Sequence, residues 1–161
     1  MIKKFIQKAG LFLMLPLLLI GCGTDEPQTE NESSLHETGT EIAFEHVELE
    51  EAPQSVRSAV EFKSRKESTF VLPGEDDEIY IVVTRGEKPT GGFTVDILHV
   101  IEQEDAIVTL YKFKDPADDE LVTQAITYPF DLVKIDKTDK TIKFKKIEHE
   151  NELEEGFNIQ L

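Results

Sequence analysis

The feature that most constrains the fold is a period of two in the apolar residues from Ser68 onward. Short runs rich in Val, Ile, Thr, Tyr and Phe are separated by turns that contain Gly, Pro, Asp and Glu. These runs are TFVLP, EIYIVVTR, GFTVDILHVIE, AIVTLYKF, LVTQAITY, FDLVKID and TIKFKKIEH. Because successive side chains of a strand point to opposite faces of the sheet, the pattern predicts short strands in a mainly antiparallel sheet system. We therefore expect a mainly β (α+β) domain, built as an antiparallel β-sandwich-like fold or as a partly open barrel.

Two of the runs differ in how their side chains are distributed. Residues 79–83 are all apolar, which is typical of a central strand that is buried on both faces. The TIKFKKI run carries Lys143 and Lys145 on alternate positions, and lysines protect the edge of a sheet from unwanted pairing. We therefore expect a central strand at 79–83 and an edge strand in the TIKFKKI run.

One short helix is predicted before the strands. Pro53 stands at a helix-start position, and Val56, Ala59 and Val60 follow at the spacing of one helical face. The apolar stripe is narrow, so packing against a sheet has to supply most of the helix's stability. The preceding EIAFEHVELEEA segment alternates with a slip at His46, which indicates a strand with a bulge.

The first residues have the features of an export signal. A lysine-containing start precedes an apolar stretch that is too short to span a bilayer and that ends in Leu-Ile-Gly-Cys. This ending matches the lipobox of bacterial lipoproteins, in which the signal peptidase cuts before a lipid-modified cysteine. We therefore expect residues 1–21 to be a lipoprotein signal peptide. Cys22 is then expected to carry fatty acids such as palmitate, which anchor the protein on the extracytoplasmic side of the cell membrane.

The rest of the chain divides by composition. Residues 22–40 are rich in Glu, Thr and Ser and contain one large apolar residue, so they are predicted to form a disordered tether. Residues 41–150 are expected to form the β-rich domain. Residues 151–161 are interpreted as either an acidic C-terminal segment or a last short strand.

Charge and cysteine content narrow the classes of partner. The formal net charge is −16, so nucleic acid is not expected as a partner, because phosphate backbones attract basic surfaces. Cys22 is the single cysteine, which leaves no thiol pair for a disulfide. The stability of the exported domain therefore has to come from an ordinary apolar core.

The GEKPTGGF segment, residues 86–93, interrupts the strands with one proline and three glycines. Its glycine spacing resembles that of a phosphate-binding loop, but the lysine and the following helix of such a loop are missing. Two compatible interpretations remain. Pro89 with Gly91 or Gly92 suits a turn that reverses the chain in a hairpin. The same stiffness and small side chains suit a binding loop, because such a loop loses little entropy when it docks.

Two motifs in this region resemble the PrcB C-terminal domain family. Its members show a Gly-x-x-Pro-Thr-Gly-Gly-Tyr segment and, further along, a Thr-Gln-Ala-x-Thr-Tyr-Pro-Tyr segment; this chain has GEKPTGGF and TQAITYPF in the same order. The resemblance covers about residues 80–135. Phe93 and Phe130 stand where the family usually has tyrosine, which keeps the ring and removes a hydroxyl.

The resemblance implies a lipid-anchored accessory module that associates with a cell-envelope protease and stabilises it. Its protein-contact residues are predicted to be Lys88, Pro89, Thr90, Gly91, Gly92 and Phe93, with Tyr128, Pro129 and Phe130 as a supporting surface. The simpler interpretation of Pro129 is an edge, a bulge or a bend in a strand. Two other functions remain open. One is direct protease inhibition through the GEKPTGGF loop, which also resembles the binding loop of chagasin-type inhibitors; the other is passive ligand binding by an envelope lipoprotein.

No enzyme chemistry is predicted. The sequence lacks a G-x-S-x-G motif, and its four histidines, His36, His46, His99 and His149, are scattered. It has no H-E-x-x-H or Cys-His zinc pattern, and its acidic turns lack the framework of a calcium loop. We therefore expect a non-enzymatic protein without a cofactor or a metal site.

Overall fold

The computed structural model describes residues 37–75, 77–148 and 157–160. The chain divides into two units, Met1–Ser33 and Ser34–Leu161, and every described residue belongs to the second unit. The predicted signal peptide, Cys22 and the predicted tether up to residue 36 lie outside the described residues. In the described part of the chain, no helix is long and apolar enough to cross a membrane.

Strands dominate the described residues. In chain order the elements are β1 (Glu37–Glu41), β2 (Glu45–His46), α1 (Gln54–Lys63), β3 (Glu67–Pro73), β4 (Glu78–Arg85), β5 (Thr94–Glu102), β6 (Ala106–Lys114), β7 (Phe130–Asp136), β8 (Thr141–Lys146) and β9 (Phe157–Gln160). They form a five-stranded sheet A in the order β8-β6-β5-β1-β9 and a four-stranded sheet B in the order β2-β7-β4-β3. In the described residues the predicted mainly β fold with one short helix is confirmed, and of the two predicted architectures the structure is the sandwich.

The main apolar core lies between the two sheets. Its buried residues come from β4 and β7 of sheet B and from β5 and β6 of sheet A: Ile81, Val83, Val95, Ile97, Val100, Ile107, Tyr111, Val133 and Ile135. Burial of each large aliphatic side chain contributes about 1.5–3 kcal/mol, and this cluster has more buried residues than the other apolar clusters of the described residues.

Helix α1 covers the outer face of sheet B. Val56 and Val60 are fully buried there, against residues of β4 and β7. Pro53 directly precedes the helix, with φ at −53°, so its missing N–H removes no helical hydrogen bond. The predicted helix is therefore confirmed, and its narrow apolar stripe is the surface that packs on the sheet.

Strand β4 is the central strand that its apolar run predicts. It pairs with β3 on one side and β7 on the other. Tyr80 and Val82 pack towards α1, whereas Ile81 and Val83 pack towards sheet A. Both faces of β4 are therefore buried, which explains why this run does not alternate between apolar and polar residues.

Strand directions and one boundary differ from the sequence-based expectation. β8 is the edge of sheet A, as its lysines predict, but it runs parallel to β6, and β9 runs parallel to β1. β1 begins at Glu37, inside the segment 22–40 assigned to the tether, so the folded part starts earlier than predicted. The residues of β1 are polar, and their place depends on long-range pairing with β5 and β9 rather than on local composition.

Candidate functional site

The GEKPTGGF loop crosses from one sheet to the other. It leaves β4 of sheet B after Arg85 and enters β5 of sheet A at Thr94. The predicted hairpin is therefore wrong, because the two flanking strands do not pair with each other. The proline and the glycines of the segment instead form a crossover between the two sheets at one end of the sandwich.

A second irregular segment, residues 115–129, runs beside this loop. LVTQAITY lies within it and is predicted from its alternation to be a strand, but the structure shows only one isolated bridge there, between Lys88 and Thr127. Leu121 and Ile126 are exposed, so the alternation does not mark a buried face. We call residues 86–93 and 115–129 together the loop pair.

Backbone hydrogen bonds hold the loop pair together. The N–H of Lys88 donates to the carbonyl of Thr127 at 2.9 Å, and the N–H of Thr127 returns a bond to Lys88 at 3.0 Å. Further along, the N–H of Gly91 donates to the carbonyl of Thr123 at 2.8 Å, and the hydroxyl of Thr127 donates to the carbonyl of Thr90 at 2.8 Å. These bonds fix the backbone of the GEKPTGGF loop over most of its length.

The two neighbouring glycines of the loop have different roles. Gly92 has φ at +85°, and a β-carbon at this position would lie 2.6 Å from Cγ1 of Val122 and 2.8 Å from Cβ of Pro116. Gly91 has no positive φ, and a β-carbon there would meet Thr123 at an ordinary 3.5 Å. The absence of a side chain at Gly92 therefore lets the second segment pack onto the first.

Arg85 joins the ends of three strands beneath the loop pair. It is the last residue of β4 and its side chain is buried. The guanidinium donates to the carbonyl of Lys114 at 2.6 Å and to the carbonyl of Thr94 at 3.3 Å, and it forms an ion pair with Asp115. Arg85 is not among the site residues predicted from the sequence; a cation that ends an apolar strand just before a glycine is the signal that could have identified it.

Cations and aromatic rings alternate around Arg85. Its guanidinium carbon lies 5.1 Å from the ring centroid of Phe93 and 4.9 Å from that of Phe113. Lys88 Nζ lies 5.6 Å from the Phe93 ring, and Lys146 Nζ lies 5.0 Å from the Phe113 ring. The rings stabilise the cations through their negative faces, so the tyrosine-to-phenylalanine departure at position 93 keeps this interaction.

The predicted supporting residues separate into two groups. Tyr128 lies beside the loop, where its hydroxyl donates to Glu87 at 3.0 Å and its ring lies 5.6 Å from the guanidinium carbon of Arg65. The hydrogen bond to the Glu87 carboxylate raises the pKa of Tyr128 above its usual value. The carbonyl of Pro129 accepts from the N–H of Arg85 at 2.9 Å. Phe130, in contrast, begins β7 and packs against the cluster beneath α1, away from the contact surface predicted for it.

The loop pair presents apolar side chains to solvent. Leu121 is 101% exposed and Ile126 is 60% exposed, whereas most large apolar residues in the described part of the chain are at least half-buried. Asp118, Asp119 and Glu120 are exposed directly before Leu121. Of the predicted contact residues, Pro89 is exposed and the other five are half-buried.

The histidines of the described residues bond to carboxylates. His46 Nδ1 lies 3.0 Å from Asp131, and His99 Nδ1 lies 2.7 Å from Glu41. A surface groove of about 400 Å³ is lined in part by His46 and Asp131, so two of its polar groups bond to each other. Among the described residues, no group of three or more His, Cys, Asp or Glu side chains is placed to hold a metal ion.

These observations define the class of structure: a two-sheet β domain with a hydrogen-bonded loop pair at one end. Residues 79–136 match the family model described as PrcB C-terminal. This span runs from β4 to β7 and includes the whole loop pair. This match confirms the predicted resemblance to the PrcB C-terminal family over these residues. Comparison with curated proteins and with solved structures gives no match.

Proposed function

We propose that this protein is a lipid-anchored, extracytoplasmic interaction module that associates with a cell-envelope protease and stabilises it. The observation that carries the proposal is the loop pair, in which a glycine-rich loop and an apolar-tipped segment are bonded into one surface. The match of residues 79–136 to the PrcB C-terminal family supports a protease-related partner. The export signal and Cys22 in the sequence support the anchored location.

The loop pair suits a protein contact for an energetic reason. Its backbone is already held by hydrogen bonds, so docking does not have to order a mobile loop. Leu121 and Ile126 supply exposed apolar area, and the buried centre of a protein interface is more apolar than its rim. The acidic residues before Leu121 supply a charged rim, which guides the encounter with a basic partner surface.

The hydrogen bonds that hold the loop to the neighbouring segment favour contact with a partner along the side of the loop over insertion of the loop into a cleft. Lys88, Thr90 and Gly91 are bonded to the neighbouring segment, so the loop does not project alone. Pro89 is the exposed residue of the Pro-Thr-Gly-Gly tip, and direct protease inhibition would depend on this tip. The residues that the protease requires for binding therefore distinguish accessory binding from inhibition.

The experiment starts from the full chain, tagged at its C-terminus and produced in its native cell envelope. Mild crosslinking followed by purification recovers the protease, whose half-life and activity are then measured with and without the chain. We expect the chain to lengthen the half-life without reducing the activity. Stoichiometric loss of activity would instead identify an inhibitor, and recovery of no protease would overturn both functions.

Matched variants test the surface. Leu121→Ser with Ile126→Ser is expected to weaken capture of the protease by about tenfold or more, because full burial of a Leu or Ile side chain contributes about 1.5–3 kcal/mol. Phe62→Ser is the control, since Phe62 is 79% exposed on α1 and lies outside the loop pair. Equal loss of capture in the control and the loop variants would show that the loop pair is not the contact.

The anchor has its own test. Cells that express the chain are labelled with radioactive palmitate, and the Cys22→Ser variant serves as the control. We expect label on the parent chain and none on the variant, which is expected to leave the membrane fraction. An unlabelled parent chain would remove the anchor from the proposal and leave the loop-pair surface to be judged by its own variants.

A further inference from the structure

Strand β3 is an edge of sheet B whose interior positions lack the usual protection, because its one charged residue and its one proline, Glu67 and Pro73, stand at its two ends. Among the described strands it pairs only with β4. Its seven residues, ESTFVLP, contain no lysine, and its single charged residue is Glu67 at one end. β8, the edge strand of sheet A, instead carries three lysines. Free backbone N–H and C=O groups on an edge of this length are a template for pairing with another strand.

Charges of opposite sign flank the two ends of β3. Arg65 and Lys66 directly precede the strand, and Glu75 and Asp77 follow it in the turn to β4; all four are exposed. Asp77 lies 3.7 Å from Lys137 in an exposed ion pair, which leaves its charge accessible to solvent. An antiparallel partner with the same sequence would therefore bring basic residues opposite acidic ones at both ends.

We propose that β3 pairs antiparallel with β3 of a second copy of this chain, to give a two-fold symmetric dimer with a continuous eight-stranded sheet. The register that matches the charges places Phe70 opposite Phe70. Arg65 then lies opposite Glu75, and Glu67 lies opposite Pro73 rather than its own copy. A two-fold interface is self-complementary, so the same pair of opposite charges forms twice.

The side chains of β3 fit this register. Phe70 is half-buried, with Lys63 Nζ 4.3 Å from its ring centroid, so the two phenylalanines would meet on the face that α1 covers. Aromatic cross-strand pairs stabilise antiparallel sheets. Val71 is 36% exposed on the opposite side of the strand, and the register places Thr69 of the second copy beside it. Pairing would thus cover an apolar side chain that the single chain leaves partly open to water.

The test measures the self-association of the full chain with Cys22→Ser, which removes the thiol and the lipid, by sedimentation equilibrium in a mild detergent. One variant reverses the basic end with Arg65→Glu and Lys66→Glu. A second changes the acidic end with Glu75→Lys and Asp77→Asn; asparagine is chosen because residue 77 has φ at +61°. Each variant alone is expected to raise the dimer dissociation constant about tenfold or more, because like charges then face each other.

Mixing the two variants is the decisive measurement. In the mixed dimer each altered end faces an end of opposite charge, so association is expected to recover to within about threefold of the parent chain. Val71→Lys places a charge on the β3 edge and is expected to abolish the dimer, whereas Thr141→Lys on the β8 edge is not. Circular dichroism of each variant confirms folding.

Three results would overturn the proposal. The first is a parent chain that remains monomeric at every concentration measured. The second is a dimer that persists unchanged in the Val71→Lys variant. The third is a pair of charge variants that both dissociate but do not associate when mixed. None of these results bears on protease capture by the loop pair, so the two proposals can fail separately.

Discussion

The carboxylate of Asp131 accepts a hydrogen bond of 2.6 Å from the backbone N–H of Ile97, and this bond joins sheet B to sheet A. The other carboxylate oxygen accepts from the N–H of Leu132 at 2.8 Å and lies 3.0 Å from His46 Nδ1. Ile97 stands at the register shift of β5, between Ile97 and His99. Asp131 therefore satisfies a backbone donor at an irregular position of the neighbouring sheet.

Asp131→Asn tests this link. Asparagine keeps one acceptor and turns the other into a donor, so one of the two backbone N–H groups loses its partner. Leaving a part-buried donor unpaired is expected to lower the free energy of unfolding by about 1–3 kcal/mol, measured by urea denaturation. Asp136→Asn, at the exposed end of β7, is the control and is expected to change it by less than about 0.5 kcal/mol. Equal effects would contradict the bridging role.

Gly92→Ala and Gly91→Ala are a matched pair in the loop. Gly92→Ala is expected to lower the free energy of unfolding by about 1–3 kcal/mol, because alanine at positive φ is strained and its β-carbon meets Val122. Gly91→Ala has neither problem and is expected to leave stability unchanged or to raise it by about 0.5 kcal/mol. Thermal or urea unfolding gives both values. Similar decreases in the free energy of unfolding of the two variants would show that Gly92 and Gly91 do not differ in their importance for the loop.

Arg85→Lys tests the guanidinium beneath the loop pair. A lysine keeps the charge, but its single ammonium cannot reproduce the planar guanidinium, in which one nitrogen reaches two carbonyls and another reaches Asp115 while the group faces two rings. We expect the free energy of unfolding to fall by about 2 kcal/mol, as for loss of hydrogen bonds to a buried charge. Arg65→Lys, at an exposed position, is the control, with an expected change below about 0.5 kcal/mol. An unchanged Arg85→Lys protein would mean that charge alone is sufficient at this position.

Alkaline pH is expected to destabilise the fold. Burial raises the pKa of Tyr111 above its usual 10.0, and burial followed by Glu78 raises the pKa of Tyr80. With these raised values the folded chain holds more protons than the unfolded chain above pH 10, so the free energy of unfolding falls as pH rises there. Hydrogen bonds to carboxylates also raise the pKa of Lys134 and Lys146, which adds to the fall in the same direction.

Urea denaturation between about pH 8 and about pH 11 measures this dependence. Tyr111→Phe is expected to flatten the fall, because phenylalanine has no proton to lose. Below about pH 9, where tyrosine is neutral in both the folded and the unfolded state, the free energy of unfolding should depend on pH in the same way in the variant and the parent chain. A fall of equal steepness in the variant would assign the alkaline sensitivity to other groups.

Local patterns predicted the parts of the fold that depend on burial of one face. The alternating runs indicate strands, the stripe of Val56 and Val60 indicates the helix, and the lysines of β8 indicate an edge. The same rule failed for LVTQAITY, which alternates like a strand but leaves Leu121 and Ile126 exposed. The alternation of apolar and polar residues predicts which side chains share a face of a strand. It does not predict whether another sheet covers that face.

The candidate site was predicted in part. The motif residues of the GEKPTGGF loop and of TQAITYPF are close together as far as Pro129, because residues 88–91 bond to residues 123–127. Phe130 follows directly but belongs to β7 and the cluster beneath α1. Arg85 was missed, since its importance comes from the ends of β5 and β6, which are distant in sequence. The contact role of the loop and the lipid on Cys22 stay predictions.

The amino-acid sequence by itself determined the strand-rich class, helix α1, the apolar central strand and the two family motifs, because each depends on residues that are neighbours in the chain. Tertiary structure decided which strands share a sheet, that β8 and β9 run parallel to their neighbours, and that the GEKPTGGF loop is a crossover rather than a hairpin. The physical reason is that alternation specifies a buried face, whereas the partner and direction of a strand are set by contacts between residues far apart in sequence.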